Sequence, residues 1–211
     1  MTEHFSALIL LMPLFGALLV TLLGRERRTA CWLTALVCLA ASSAFAIGNI
    51  CQVLASKSGD LRYRMGGWQE SAGYEVGIEL RVDMLAALVV AMVVLVGFVN
   101  IIFAKTRVGS EMKDKVAFFY ALKQLLIVGL CGIVMTYDAF NLYVLIEITS
   151  LTSYALIAMG NRRAALSSFN YIIMGTIGAS FYLLGVGYLY IKTGTLNIDD
   201  ISSVMQSGDL W

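Results

Sequence analysis

Tyr143, Glu147, Ser150 and Tyr154 stand at offsets of −4, 0, +3 and +7 from the glutamate. That spacing stacks side chains on one face of a helix. The segment that carries them, Ala139–Gly160, is otherwise apolar. A charged side chain at the centre of a membrane helix costs roughly 2.5–3.5 kcal/mol to insert, so an ionisable residue there points to function. Burial disfavours the charged form of a carboxyl and a nearby cation restores it. A buried glutamate with a movable cationic neighbour is therefore suited to reversible proton holding. The structural alternative is a protonated Glu147 that only hydrogen-bonds neighbouring helices. In either case the stripe must face other helices or an internal path containing water. Lys123 is the basic residue placed well inside a span, with Gln124 beside it. It can pair with Glu147 or load it with protons, or its long stem can snorkel to the membrane surface.

The elements that position these residues follow from composition. Of 211 residues, 59% are hydrophobic and 14% charged, against about a quarter charged in soluble domains. The expected class is all-α, a polytopic membrane protein. Six segments suffice to cross a hydrocarbon core of roughly 30 Å. They are Phe5–Gly24, Ala30–Ala55, Met84–Ala104, Val116–Met135, Ala139–Gly160 and Ser167–Ile191. Asp138 lies roughly 12–14 Å along the helix from Glu147, which puts the glutamate near the membrane midplane. Gly175, Gly178, Tyr182 and Gly185 mark a face on the sixth segment where helix backbones can approach closely. Ser168 and Asn170 stand near its start.

Arg25, Arg27 and Arg28, then Lys105, Arg107, Lys113 and Lys115, then Arg162 and Arg163 fall in alternate connections. Basic connections of this kind belong in the cytoplasm, so both termini are expected to face outward, in a cytoplasmic (inner) membrane of bacterial type. The first segment lacks a preceding positive region and reads as an anchor that stays in place. Residues 1–192 form the membrane domain, with an outward loop at 56–83 that contains Gly66-Gly67-Trp68 and a strand over Tyr74–Val82. Residues 193–211 form an outward amphipathic tail. In it Asn197 caps a helix with Ile198, Ile201, Val204 and Met205 on one face and Trp211 at headgroup depth.

The composition excludes several functions. A net charge of +1 offers no basic surface for nucleic acid. His4 is the single histidine, which removes histidine-based metal sites and serine or cysteine triads. Cys31, Cys38, Cys51 and Cys131 lack CxxC spacing and read as small buried hydrophobes. No cofactor is expected, and no catalytic chemistry within the chain itself.

Two blocks resemble a known family. One is Gly66-Gly67-Trp68 followed by Gly77-Ile78-Glu79-Leu80-Arg81-Val82-Asp83. The other runs from Gly129 through Thr136, Asp138, Phe140-Asn141-Leu142-Tyr143 and Glu147 to Ser153-Tyr154-Ala155-Leu156. Both resemble the antiporter-like, proton-translocating membrane subunits shared by respiratory complex I, membrane-bound hydrogenases and Mrp-type cation/proton antiporters. The wording is most similar to the D-type Mrp subunit, over its N-terminal portion. The resemblance implies that Glu147 matches the key glutamate of the family's fifth helix, which is coupled there to a lysine on a seventh helix. It further implies partner membrane subunits, one of which supplies the missing later helices. Protons, and sodium as an alternative, would be the species moved. Lys123 departs from the D-type pattern, where an apolar residue is usual, and is a candidate local substitute for that lysine.

The expected function is therefore a split or truncated proton/cation-translocating subunit of an Mrp-type or complex I-like membrane complex. Its proton pathway would include Glu147, Lys123, Tyr143, Ser150 and Tyr154. The rival from another class is a structural or assembly subunit in which the glutamate is a hydrogen-bonding relic.

Overall fold

The computed structural model describes residues 4–23, 28–56, 59–65, 77–111, 115–160 and 163–207. Six long helices carry the fold: α1 (Phe5–Leu23), α2 (Arg28–Ala55), α3 (Met84–Glu111), α4 (Val116–Met135), α5 (Ala139–Ala158) and α6 (Ala164–Thr193). Each is long and apolar enough to cross a membrane. A short α7 (Ile198–Ser207) follows. Strands β1 (Asp60–Arg64) and β2 (Glu79–Asp83) pair antiparallel between α2 and α3. The chain is a multi-pass membrane protein.

The core lies among α1, α2, α3 and α4, where Ile9, Val20, Leu39, Val94, Ile101, Tyr120 and Met135 are buried together. α1 contains the single proline, Pro13. Proline has no N–H to give to the carbonyl four residues earlier, and the Ser42 hydroxyl of α2 donates to that Ile9 carbonyl at 2.9 Å. At the other end of the core, the Trp32 indole donates to the Ile101 carbonyl at 3.1 Å, with the Lys105 ammonium 3.9 Å from its ring centroid. α5 and α6 form a flank in which α5 is mostly half-buried and α6 mostly exposed.

β1, β2, the α4–α5 turn and α7 gather at one end of the bundle, the hairpin end. The last residues of α1, α3 and α5 and the first residues of α2, α4 and α6 lie at the other. Val116–Met135 coincides with the expected fourth segment, and the remaining spans differ at their ends. α3 runs on from Ala104 to Glu111, because Lys and Arg sustain a helix as it leaves apolar surroundings. Among the described residues, the strand expected over Tyr74–Val82 runs from Glu79 to Asp83, and it pairs with a strand not anticipated from sequence. Gly66-Gly67-Trp68, the start of that expected strand at Tyr74, and Trp211 lie outside the described residues. Asn197 caps α7 as expected, its Oδ1 accepting from the Asp199 amide at 2.9 Å.

Candidate functional site

Close packing against α4 sets the position of α5. Thr149 Oγ1 occupies the space a side chain at Gly129 would need, and Leu145 fills the equivalent space at Gly132. At the hairpin end Asp138 is the N-cap, with Oδ1 accepting from the Asn141 amide at 2.6 Å. The Asn141 side chain donates in turn to Thr136 Oγ1 at 2.8 Å. Burial raises the affinity of the Asp138 carboxyl for its proton, against the opposing pull of the Asn141 and Phe140 amides. Asp138, Asn141 and Asn197 line a cavity of ≈ 400 Å³ at this mouth.

The four stripe residues divide into two groups. Tyr143 and Tyr154, at the two ends, face α6. The Tyr143 ring stacks on Tyr182 with centroids 6.4 Å apart and planes 7° from parallel. Tyr154 is buried with its hydroxyl set against Gly175, its ring edge-on to Tyr171 at 4.8 Å. The Ser168 hydroxyl donates to the Tyr154 carbonyl at 2.8 Å. Between them Glu147 and Ser150 are half-buried, and their side chains make no hydrogen bond or ion pair among the described residues. The other hydroxyls of α5 fold back on their own helix. Thr149 donates to the Leu145 carbonyl, Thr152 to Ile148 and Ser153 to Thr149. These bonds leave Glu147 and Ser150 as the polar groups of the middle of α5 whose hydrogen-bonding capacity is free among the described residues.

Lys123 is half-buried on α4 and forms no ion pair with Glu147 within 4.0 Å among the described residues. Of the α6 glycines, Gly175 receives Tyr154, whereas Gly178, Gly185 and Gly187 meet no atom where a side chain would start. Asn170 is exposed. Cys31 and Cys131 are buried, Cys38 is half-buried, Cys51 is exposed, and all four are free thiols. No group of metal-ligating side chains occurs among the described residues.

The sequence reading missed an ionic clasp at the hairpin end. Arg62 and Arg81 stand directly opposite one another across the strands. Asp60 Oδ2 accepts from both, at 3.4 and 3.1 Å, and Asp199 Oδ2 of α7 also reaches both, at 3.4 and 3.3 Å. Glu79, 2% exposed, accepts from the Asn197 amide at 3.0 Å and lies 3.7 Å from Arg62. Tyr137 donates to Asp199 at 3.2 Å, beneath the Arg81 guanidinium. Burial weakens the Arg81 charge, but Tyr137, Asp199 and Asp60 outweigh it and hold the proton more firmly than usual. Backbone bridges Leu80–Thr136 and Asp138–Asn197 complete the assembly. The available signal was the period-two alternation of Asp60-Leu61-Arg62-Tyr63-Arg64, which matches Glu79-Leu80-Arg81-Val82-Asp83.

Comparison with known proteins decides the lineage. Residues 136–211 match the family model described as NADH:quinone oxidoreductase/Mrp antiporter, TM. The N-type subunit of the NADH-quinone oxidoreductase of Desulforudis audaxviator is 38% identical over 206 residues, covering 97% of this chain and 40% of that protein. The chain belongs to the Mrp/complex I antiporter-like membrane-subunit family. The D-type subunit of the Na(+)/H(+) antiporter of Bacillus subtilis is 32% identical to this antiporter-like subunit over 211 residues, 98% of the chain and 40% of the relative. Among solved structures, the archaeal membrane-bound sulfane sulfur reductase, a respiratory membrane complex, superposes with a TM-score of 0.83 at 32% identity. The match covers 94% of this chain and 39% of its counterpart. The Mrp complex of Dietzia shares the fold, with a TM-score of 0.76 at 22% identity over 97% and 39% of the two chains. The antiporter-like subunit thus spans about two fifths of the length of the relatives it matches.

Proposed function

We propose that this antiporter-like subunit translocates protons or cations as part of a multisubunit membrane assembly, with Glu147 as its proton-holding group. The observation that carries the reading is the free carboxylate of Glu147 midway along α5. The Thr149, Thr152 and Ser153 hydroxyls are committed to their own backbone, and packing on α4 fixes the helix. Such a group can gain or lose a proton without breaking an existing contact. Tyr143, Ser150 and Tyr154 extend the pathway along the same face, and Lys123 modulates the charge of Glu147 from α4 through space or through water. The names of the relatives, an antiporter subunit and a quinone oxidoreductase subunit, support ion movement in a larger complex.

Residues 1–192 form the membrane domain and 193–211 an appended segment. The hairpin end faces outward and the opposite end, with Arg28, Lys105, Lys115 and Arg163, faces the cytoplasm of a bacterial-type inner membrane. A membrane-impermeant maleimide added outside intact cells should label Asp200→Cys. Labelling only after the cells are opened reverses the orientation.

The role of Glu147 is tested by Glu147→Gln in vesicles carrying the complete assembly. Cation-dependent proton flux should be abolished while the subunits still co-purify. Undiminished flux would remove Glu147 from the pathway. Flux lost together with assembly would assign it the structural role.

A further inference from the structure

The buried face of α1 carries a second polar series, far from the α5 stripe. Ser6, Ile9, Pro13, Gly16, Ala17 and Val20 recur along it at helical spacing and are all buried. A polar group from α2 or α4 meets this face at each level. At the hairpin end the Asn49 amide of α2 donates to Ser6 Oγ at 3.2 Å. One turn further in, Ser42 donates to the carbonyl exposed by Pro13. Deeper still, Gln124 of α4 lays its side-chain amide against Gly16, in the space a Cβ would fill. Near the far end the Cys31 thiol points at the Val20 carbonyl at 3.8 Å.

Two members of this series hold unused hydrogen-bonding capacity. Gln124 is 0% exposed, and neither Oε1 nor Nε2 has a partner. Asn49 is 1% exposed, and its Oδ1 has none. A side-chain amide offers two donors and an accepting oxygen. An unsatisfied amide in apolar surroundings costs several kcal/mol, and hydrocarbon supplies nothing to relieve it. Internal water commonly satisfies such groups, donating to the oxygen and accepting from the nitrogen. The route to Asn49 is visible. Its partner Ser6 lines a cavity of ≈ 610 Å³ at the hairpin end, together with Gln52 and Ser56. Gly16 lies roughly 15 Å further along α1 than Ser6, past a stretch where Leu39 and Ala35 of α2 are fully buried.

We infer that the α1 seam is a binding site for internal water at two separate points. One water is hydrogen-bonded to Asn49 Oδ1 and exchanges through the hairpin-end cavity, and a second is held by Gln124 opposite Gly16. The side-chain-free Gly16 leaves the Gln124 amide its place at the helix contact. Apolar packing between the two points keeps them as discrete sites rather than a continuous wire. The inference does not depend on the role of Glu147.

The test uses the subunit in its native membrane assembly. A density map that resolves ordered water should place one water within hydrogen-bonding distance of Asn49 Oδ1 and one against the Gln124 amide. X-ray radiolysis in ¹⁸O-labelled water, which oxidises side chains beside bound water, supplies an independent reading. Phe45 and Tyr120 lie one turn before Asn49 and Gln124 in sequence. Label on Phe45 should be lost in Asn49→Leu and label on Tyr120 in Gln124→Leu, each variant leaving the other site's label intact. The inference is overturned if the wild-type map shows both amides bonded to protein groups with no water density. Labelling that neither variant changes would overturn it equally.

Discussion

Asp138 serves two purposes that oppose one another. As N-cap it must present an oxygen to the Asn141 amide, and as a partly buried carboxyl it holds its proton more tightly than an exposed one. The stability linked to that proton is fully present below the unfolded pKa of about 3.9, and is lost as pH rises through the higher folded value. Asparagine caps a helix about as well as aspartate and does not ionise. Asp138→Asn should therefore leave stability at acid pH unchanged and raise it at neutral pH, flattening the profile in that window. Thermal unfolding in detergent across the range measures this, and a profile identical to the parent would show that the Asp138 charge is matched in the unfolded chain. Glu147 differs in that its stripe was legible from residue spacing alone. Its freedom from partners was not, because that depends on where Thr149, Thr152 and Ser153 turn their hydroxyls.

At the scale of elements, the α4–α5 contact depends on two glycines and the α6 surface does not depend on its own. Inserting methyl groups into a packed contact costs about 1–3 kcal/mol. Gly129→Val and Gly132→Val should each destabilise by that order, since Thr149 and Leu145 already occupy the space. Gly178→Ala and Gly185→Ala meet no atom in this chain. Chemical unfolding of the four variants of the isolated chain should therefore separate them into two classes, and equal losses in all four would contradict the packing. The helices were legible because six apolar runs exceed the thickness of a bilayer core, and their ends shifted by a few residues, outward where α2, α3 and α6 run past the expected boundary and inward where α5 stops at Ala158. Gly175, Gly178 and Gly185 were expected to share one packing face, and within this chain they differ in what meets them. Only Gly175 receives a neighbour, since spacing defines a face but not what covers it. β1 went unread because its only local signal is a five-residue alternation and its partner lies beyond a long connection.

At the scale of the whole molecule, the clasp joins α7 to the hairpin and to the turn before α5. Partly exposed ion pairs contribute about 0.2–1 kcal/mol and weaken with salt. A double-mutant cycle of Arg81→Ala and Asp199→Ala should give coupling of that order, diminished at high salt, with faster hydrogen exchange confined to α7. Unchanged exchange in α7 would mean that Ile201, packed on Ala139 and Val186, suffices to hold it. The register has a further consequence. Arg62 faces Arg81 directly, and like charges in that position repel. Asp60 and Glu79 offset part of this within the hairpin itself. The third carboxylate, Asp199, lies 118 residues beyond Arg81. A ribosome releases those residues in order, so the hairpin leaves the tunnel early and remains electrostatically incomplete through the making of four more helices. Its set of ion pairs is completed only when Asp199 arrives, after the preceding spans have been made.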